Sequence, residues 1–266
     1  MATVGFIGVG NMGTAIIRGL ARRKDIQLLG LDLDAARLKA LGKECGLKAA
    51  ASVKELVQAS DYVVLAVKPQ QAPEVLQEAG SALGKTRCLV SIAAGLTVAR
   101  LKELSGAKCP VARVMPNTPA LVGEGVFALC LDDPGLKKAQ REFLSGLFTS
   151  LGQVHVLAEK LFDAFTAVIG SGPAYVFYFM QALADAAVNL GLPRAQAVQM
   201  VQGLFAGSAK LAGEDGRHLG ELTDMVCSPA GTTIRGVLHM DRTGVKGNIA
   251  DAARESYLRS VELGKK

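Results

Sequence analysis

Short runs of apolar, mostly β-branched residues recur through the first half of the chain, at residues 4–7, 26–31, 62–67, 88–92 and 111–115. They are continuous rather than alternating, the pattern of strands covered on both faces. Between them lie stretches in which apolar positions return every three or four residues, at 12–23, 34–45, 52–59 and 97–104. Ser52 with Glu55 three residues on, and Thr97 further along, mark helix starts. Strand and helix in this rhythm predict βαβ units: an α/β domain with a mostly parallel sheet and helices on both faces.

The texture changes after residues 154–157, the last strand-like run. From there the periodicity is helical, over 159–169, 173–190, 194–212, 219–226, 233–240 and 245–263, with Gly191-Leu192-Pro193 as a helix stop and restart. This predicts an α/β domain over 1–157 and an all-α domain over 158–266. The stretch 173–190 is apolar nearly all round, which calls for burial on every side. A helical domain of this size has little interior for it, so the reading is burial between two subunits of a C2 dimer. The competing reading is the central helix of a monomeric bundle.

Half of the 266 residues are hydrophobic and a fifth are charged, an ordinary globular balance that excludes a disordered chain. The net charge of +6 is scattered. Its densest cluster, Arg22-Arg23-Lys24, has no aromatic residue interleaved, so no nucleic-acid partner is expected and small anionic ligands suit it better. Five cysteines without a CxxC pair, and three histidines none of them at i, i+4, predict free thiols and no metal site. No apolar run approaches the 18 residues of a membrane span, and a strand pattern begins almost at once in place of a signal peptide. A cytoplasmic protein with no membrane contact is the expectation.

Gly8-Val9-Gly10-Asn11-Met12-Gly13 is a GxGxxG motif that follows the first strand and opens the first helix. That context is the one in which the motif binds a dinucleotide: a tight turn, close backbone approach to the pyrophosphate, and helix–strand packing, with the helix N-terminus toward the phosphates. Asp32 closes the second strand, where a carboxylate accepts from the ribose 2′-OH of NAD and repels the 2′-phosphate of NADP. Against this stands the reading of Asp32 as a turn acid. Arg37 is placed to meet a 2′-phosphate, but its position a turn into the next helix predicts that it faces water. Ala66-Val67-Lys68-Pro69 and the 91–95 segment follow later strands and belong to the ligand loops; small residues such as Ala93 and Gly95 suit a flat nicotinamide ring. Lys68 reads as a phosphate or ribose neighbour, or as a plain surface lysine.

Residues 6–13 resemble the start of pyrroline-5-carboxylate reductases. Three further segments resemble that family's signatures: Met115-Pro116-Asn117-Thr118-Pro119-Ala120, Gly170-Ser171-Gly172-Pro173-Ala174-Tyr175, and residues 224–234, which include Cys227-Ser228-Pro229-Ala230-Gly231-Thr232-Thr233. The resemblance implies hydride transfer from NADPH or NADH to the C=N carbon of 1-pyrroline-5-carboxylate, giving L-proline. It also implies a Rossmann-type domain followed by a helical dimerisation domain, with dimers that in many members assemble to decamers. It makes Thr233 the catalytic residue, its hydroxyl on the ring nitrogen, against the reading of simple helix capping, and it places Asn117 and Pro119 where substrate meets nicotinamide, against the reading of Asn117 as an Asx turn before Pro119. Ser228-Pro229 reads as an N-cap followed by Pro at the first helical position, with the amides of Gly231, Thr232 and Thr233 as an anion site for the substrate carboxylate. Ala230 departs from the family, which commonly has glycine there, and Asp32 sits uneasily with its frequent NADPH preference. Two rival functions fit less well. A β-hydroxyacid dehydrogenase opens alike but needs a lysine where Val176 stands, and a nucleotide sensor would have no need of a second anion site.

Overall fold

The computed structural model of the protein describes residues 1–80, 82–106 and 109–264. The chain divides into two compact units: Met1–Ser171 together with the chain from Ser256 onward, and Gly172–Glu255. The sequence pattern places its divide earlier, at 157/158. The compact units part further along because the first helical turns after the last strand pack back on the sheet. Phe162 is fully buried and Phe165 nearly so, in one cluster with Ala128 and Cys130.

The first unit is built on a sheet of β1 (Ala2–Ile7), β2 (Ile26–Leu31), β3 (Lys48–Ala49), β4 (Tyr62–Leu65), β5 (Cys88–Ser91), β6 (Val111–Met115), β7 (Gly125–Cys130) and β8 (Gly152–Val156). Their order is β3-β2-β1-β4-β5-β6-β7-β8, parallel throughout except for the β6/β7 pair. The helices are α1 (Asn11–Leu20), α2 (Ala35–Cys45), α3 (Val53–Ala59), α4 (Ala72–Ala79), α5 (Val98–Leu104) and α6 (Lys138–Thr149).

Successive strand residues face opposite sides, and both sides are apolar. Phe6, Val64 and Val90 join Ile16, Leu20, Leu41 and Phe148 in one core, under α1, α2 and α6. Ile7, Val63, Leu65 and Leu89 join Leu56, Leu76 and Leu101 in a second core, under α3, α4 and α5. Two cores on one sheet are why the strands read as unbroken hydrophobic runs. Each fully buried leucine or phenylalanine contributes about 1.5–3 kcal/mol. The expected helix starts are capped as read: Ser52 Oγ accepts the Glu55 N–H at 3.2 Å and Thr97 Oγ1 the Arg100 N–H at 3.1 Å.

After β8 the chain runs through a 3-10 turn (Glu159–Leu161), α7 (Phe162–Phe165) and a π turn (Thr166–Gly170) into α8 (Gly172–Asn189). The second unit continues with α9 (Arg194–Asp215), α10 (Leu219–Val226), α11 (Thr232–Arg242) and α12 (Val245–Gly264), whose end belongs to the first unit. Its helices α8 and α9 pack on each other. Ala184 alone is buried in α8, while Phe177 is 62% and Tyr178 72% exposed. A single chain therefore leaves much of this apolar helix uncovered. One expectation is corrected. The helical run Glu159–Asn189 is, by length and composition, long and apolar enough to cross a membrane. The 3-10, α and π turns join into one 31-residue helical run where the pattern reads two segments.

Candidate functional site

The direction of winding reverses at β1, which pairs with β2 on one side and β4 on the other. Ligands of open α/β sheets bind beyond the carboxyl ends of the strands at such a switch point. The loops there are tied to the strand ends: Gly8 N–H donates to Leu31 O at 2.8 Å, Ala66 N–H to Ile7 O at 2.8 Å, and Ile92 N–H to Leu65 O at 3.1 Å.

Gly8 has φ +94°, and a Cβ there would stand 2.8 Å from the Ala66 carbonyl oxygen, so only glycine fits. Gly13 packs α1 on the loop, since its Cβ would lie 2.6 Å from Gly8 O. Gly10 differs: a Cβ on it would meet nothing within 4 Å. The space above it is open, and the residue supplies no side chain to cap α1. The first-turn N–H groups, from Asn11 and Met12 onward, point ahead of the helix's own hydrogen bonds, and no acidic residue stands among them. This is a cradle for a pyrophosphate. Thr14, which the motif does not single out, pins the loop from behind, its Oγ1 donating to Val9 O at 2.7 Å.

Asp32 lies at the loop, but its carboxylate is already engaged. Oδ2 accepts the Val9 N–H at 2.6 Å and Oδ1 the Asp34 N–H at 2.9 Å. It braces the glycine loop against the β2 exit. Arg37 is exposed, as its place a turn into α2 predicts, with its Nη1 3.5 Å from Val9 O. It also lines a groove of about 380 Å³ with Asn11, Thr14 and Arg18. Beyond β4, Ala66 and Val67 are half-buried under Gly8, and Lys68 is exposed, its N–H donating to Gln71 Oε1 at 3.3 Å ahead of Pro69. Beyond β5, Ala93 is buried and its N–H donates to Ser91 Oγ at 3.3 Å. Gly95, at φ +78°, lies against the end of α12 at Leu263.

Asn117 follows β6 and is only 6% exposed. Its Oδ1 accepts from Val126 N–H and its Nδ2 donates to Ile169 O. Each end of the amide makes one hydrogen bond to backbone, a bracing contact.

In the second unit, Ser228, Gly231, Thr232 and Thr233 are adjacent, but their local structure corrects the sequence reading. Ser228-Pro229-Ala230-Gly231 is a turn closed by Gly231 N–H to Ser228 O at 3.0 Å. Ala230 has φ +55°. Pro second and positive φ third is the pattern of a type II turn. Pro229 is therefore not the first residue of the helix; α11 starts at Thr232 with Gly231 as its N-cap. A Pro at the second turn position and a Pro at the first helical position leave the same local signature, hence the misreading. The Gly231 N–H is consumed by the turn. The amides of Thr232 and Thr233 remain as first-turn donors on a helix of 11 residues. A Cβ on Gly231 would fall 2.3 Å from Ser228 Oγ and 3.0 Å from Ser228 O, so the serine hydroxyl sits tightly over this turn.

Comparison with known proteins decides the family. A family model described as pyrroline-5-carboxylate reductase dimerisation matches residues 159–263, and one described as NADP oxidoreductase, coenzyme F420-dependent, matches residues 3–95. A pyrroline-5-carboxylate reductase of Escherichia coli is 39% identical over 265 residues, covering 98% of each chain. The chain belongs to the pyrroline-5-carboxylate reductase family. The reductase of Pisum sativum is 36% identical over 98% of this chain and 96% of its own. A solved structure of the Plasmodium falciparum reductase, described as having NADP bound, superposes with a TM-score of 0.89 at 32% identity, covering 99% of this chain and 98% of that one. Family membership extends over both units, so the glycine loop and the turn at Ser228 belong to one reductase.

Proposed function

We infer that the chain reduces 1-pyrroline-5-carboxylate to L-proline by hydride transfer from a reduced nicotinamide dinucleotide. The observation that carries this reading is the turn at 228–231 opening α11 with free amides, in a chain that matches reductases of this family along its whole length. The dinucleotide supplies the hydride. The residues fit its pyrophosphate: the space over Gly10 is open and the start of α1 is uncapped.

The chain's own groups then do three things. The first-turn amides of Thr232 and Thr233 take the substrate carboxylate without an arginine. The Thr233 hydroxyl holds the ring nitrogen, where the proton must stay as the C=N carbon receives hydride. Asp32, Thr14 and the strand-end hydrogen bonds keep the glycine loop rigid. A cyclic imine is partly protonated near neutral pH, so no strong protein acid is required. Holding two reactants in near-attack geometry supplies up to about 7–11 kcal/mol of barrier lowering.

NADPH is the proposed cofactor, with NADH as the alternative that Asp32 favours. The NADP oxidoreductase model over residues 3–95 and the NADP-bound relative support the first. The uncovered apolar surface of α8 supports a dimer as the basic unit, a decamer being the further assembly that the family resemblance alone implies, and the five free cysteines support a cytoplasmic location. Incubation with the imine and each reduced cofactor should yield L-proline, resolved by chiral amino-acid analysis. Binding of both cofactors with no proline formed would overturn the reading.

A further inference from the structure

The Asn117 carboxamide makes two hydrogen bonds of different kinds. Oδ1 accepts the Val126 N–H at 2.8 Å, at the start of β7. Nδ2 donates to the Ile169 carbonyl at 3.3 Å, across 52 residues of sequence. The second bond has a covalent cause. In an α-helix the Ile169 carbonyl would accept from the N–H four residues on, and that residue is Pro173, which has none. Ile169 itself lies in the π turn Thr166–Gly170, closed by Ser171 N–H to Thr166 O at 2.8 Å. The Asn117 side chain supplies the donor that Pro173 lacks. Met115, two residues earlier, fills the space over Gly170, where a Cβ would stand 2.9 Å from its Cε. One polar and one apolar contact thus interlock the β6 exit with the π turn, a local winding that recurs at functional sites.

We propose that Asn117 is a positioning residue of the reductase. It anchors the turn after β6, the strand paired with β5, to the carbonyl that Pro173 leaves without a backbone donor, and it does not touch the imine. The proposal rests on the reductase reading for its activity assay. It departs from the expectation that Asn117 binds substrate.

The test is a double-mutant cycle in the full-length protein. Asn117→Asp keeps an acceptor for Val126 and removes the donor to Ile169. Pro173→Ala gives the Ile169 carbonyl a backbone donor of its own. Asn117→Asp should lower kcat about tenfold, with KM for imine and dinucleotide held within about twofold. Pro173→Ala alone should stay near the parent. In the Pro173→Ala background, Asn117→Asp should cost less than about threefold, a coupled pair. A parental kcat for Asn117→Asp, a rise confined to the imine KM, or the same loss in both backgrounds would overturn the proposal. Thermal midpoints of the four proteins test the strut independently of turnover. Non-additive shifts support it and additive shifts overturn it, even should the parent show no imine-dependent activity.

Discussion

Replacing Gly10 by alanine separates the fold from the ligand site. Gly10 has φ −58° and ψ −170°, which any L-residue adopts, and its added methyl would meet nothing within 4 Å. Alanine is the poorer N-cap by about 0.5–1 kcal/mol, and it restricts the unfolded chain by about 0.4–1 kcal/mol in the opposite sense. The two nearly cancel, so the thermal midpoint should move by no more than about 2 °C. The dinucleotide meets a different situation. The methyl occupies the space through which a phosphate oxygen would approach the first-turn amides of α1. Losing one charge-assisted hydrogen bond costs about 1.5–3 kcal/mol, and each 1.4 kcal/mol is about tenfold in affinity. Titration calorimetry of the variant with NADPH should therefore show Kd raised about 10- to 100-fold in a protein that melts normally. An unchanged Kd would refute the placement of the pyrophosphate at this loop, whatever the enzyme's turnover.

Four further outcomes are expected. Thr233→Ala should lower turnover of the cyclic imine by about tenfold, one hydrogen bond strengthened in the transition state being lost; unchanged steady-state kcat would remove Thr233 from the chemistry. Asp32→Ser should shift the ratio of kcat/KM values toward NADPH by about tenfold, and a ratio that does not move would leave Asp32 as a brace for Val9 and Asp34 only. Ala230→Gly relieves a left-handed alanine costing about 1–2 kcal/mol and gives back about 0.4–1 kcal/mol in unfolded-chain entropy, so calorimetry should show a melt raised by roughly 2 °C; a lowered melt would contradict the strain. The fully buried Asp133 carboxylate would be pushed up by burial alone, but Lys102 Nζ at 2.8 Å and the N–H groups of Gly135 and Val111 outweigh it and hold the group below the usual carboxylate range. A lowered folded value means stability present above about pH 4 and lost as pH falls through that value. Asp133→Asn should flatten the acid limb of the melt-versus-pH curve, and an unaltered limb would refute it.

The parts of the fold legible in the sequence were those whose burial is two-sided or periodic. Strands β1, β2, β4, β5 and β6 lie under helices on both faces, so their composition alone marks them. Strand β3 is two exposed residues and has no pattern to read. Strand β7 is a continuous apolar run and α6 carries Leu144, Leu147 and Phe148 at helical spacing, so both have patterns that the strand–helix rhythm of the first half leaves out. The glycine loop was legible because each glycine answers a steric demand local to strand and helix. Asn117 was not, because its partners stand 9 and 52 residues away and the need for its donor is created by Pro173.

The central claim is imine reduction, and the most direct measurement follows reduced-nicotinamide absorbance with the purified protein and 1-pyrroline-5-carboxylate, NADPH and NADH side by side. The account predicts oxidation that requires the imine and proceeds with at least one of the two cofactors, faster with NADPH. Oxidation independent of the imine, or none with either cofactor while both bind, would contradict it.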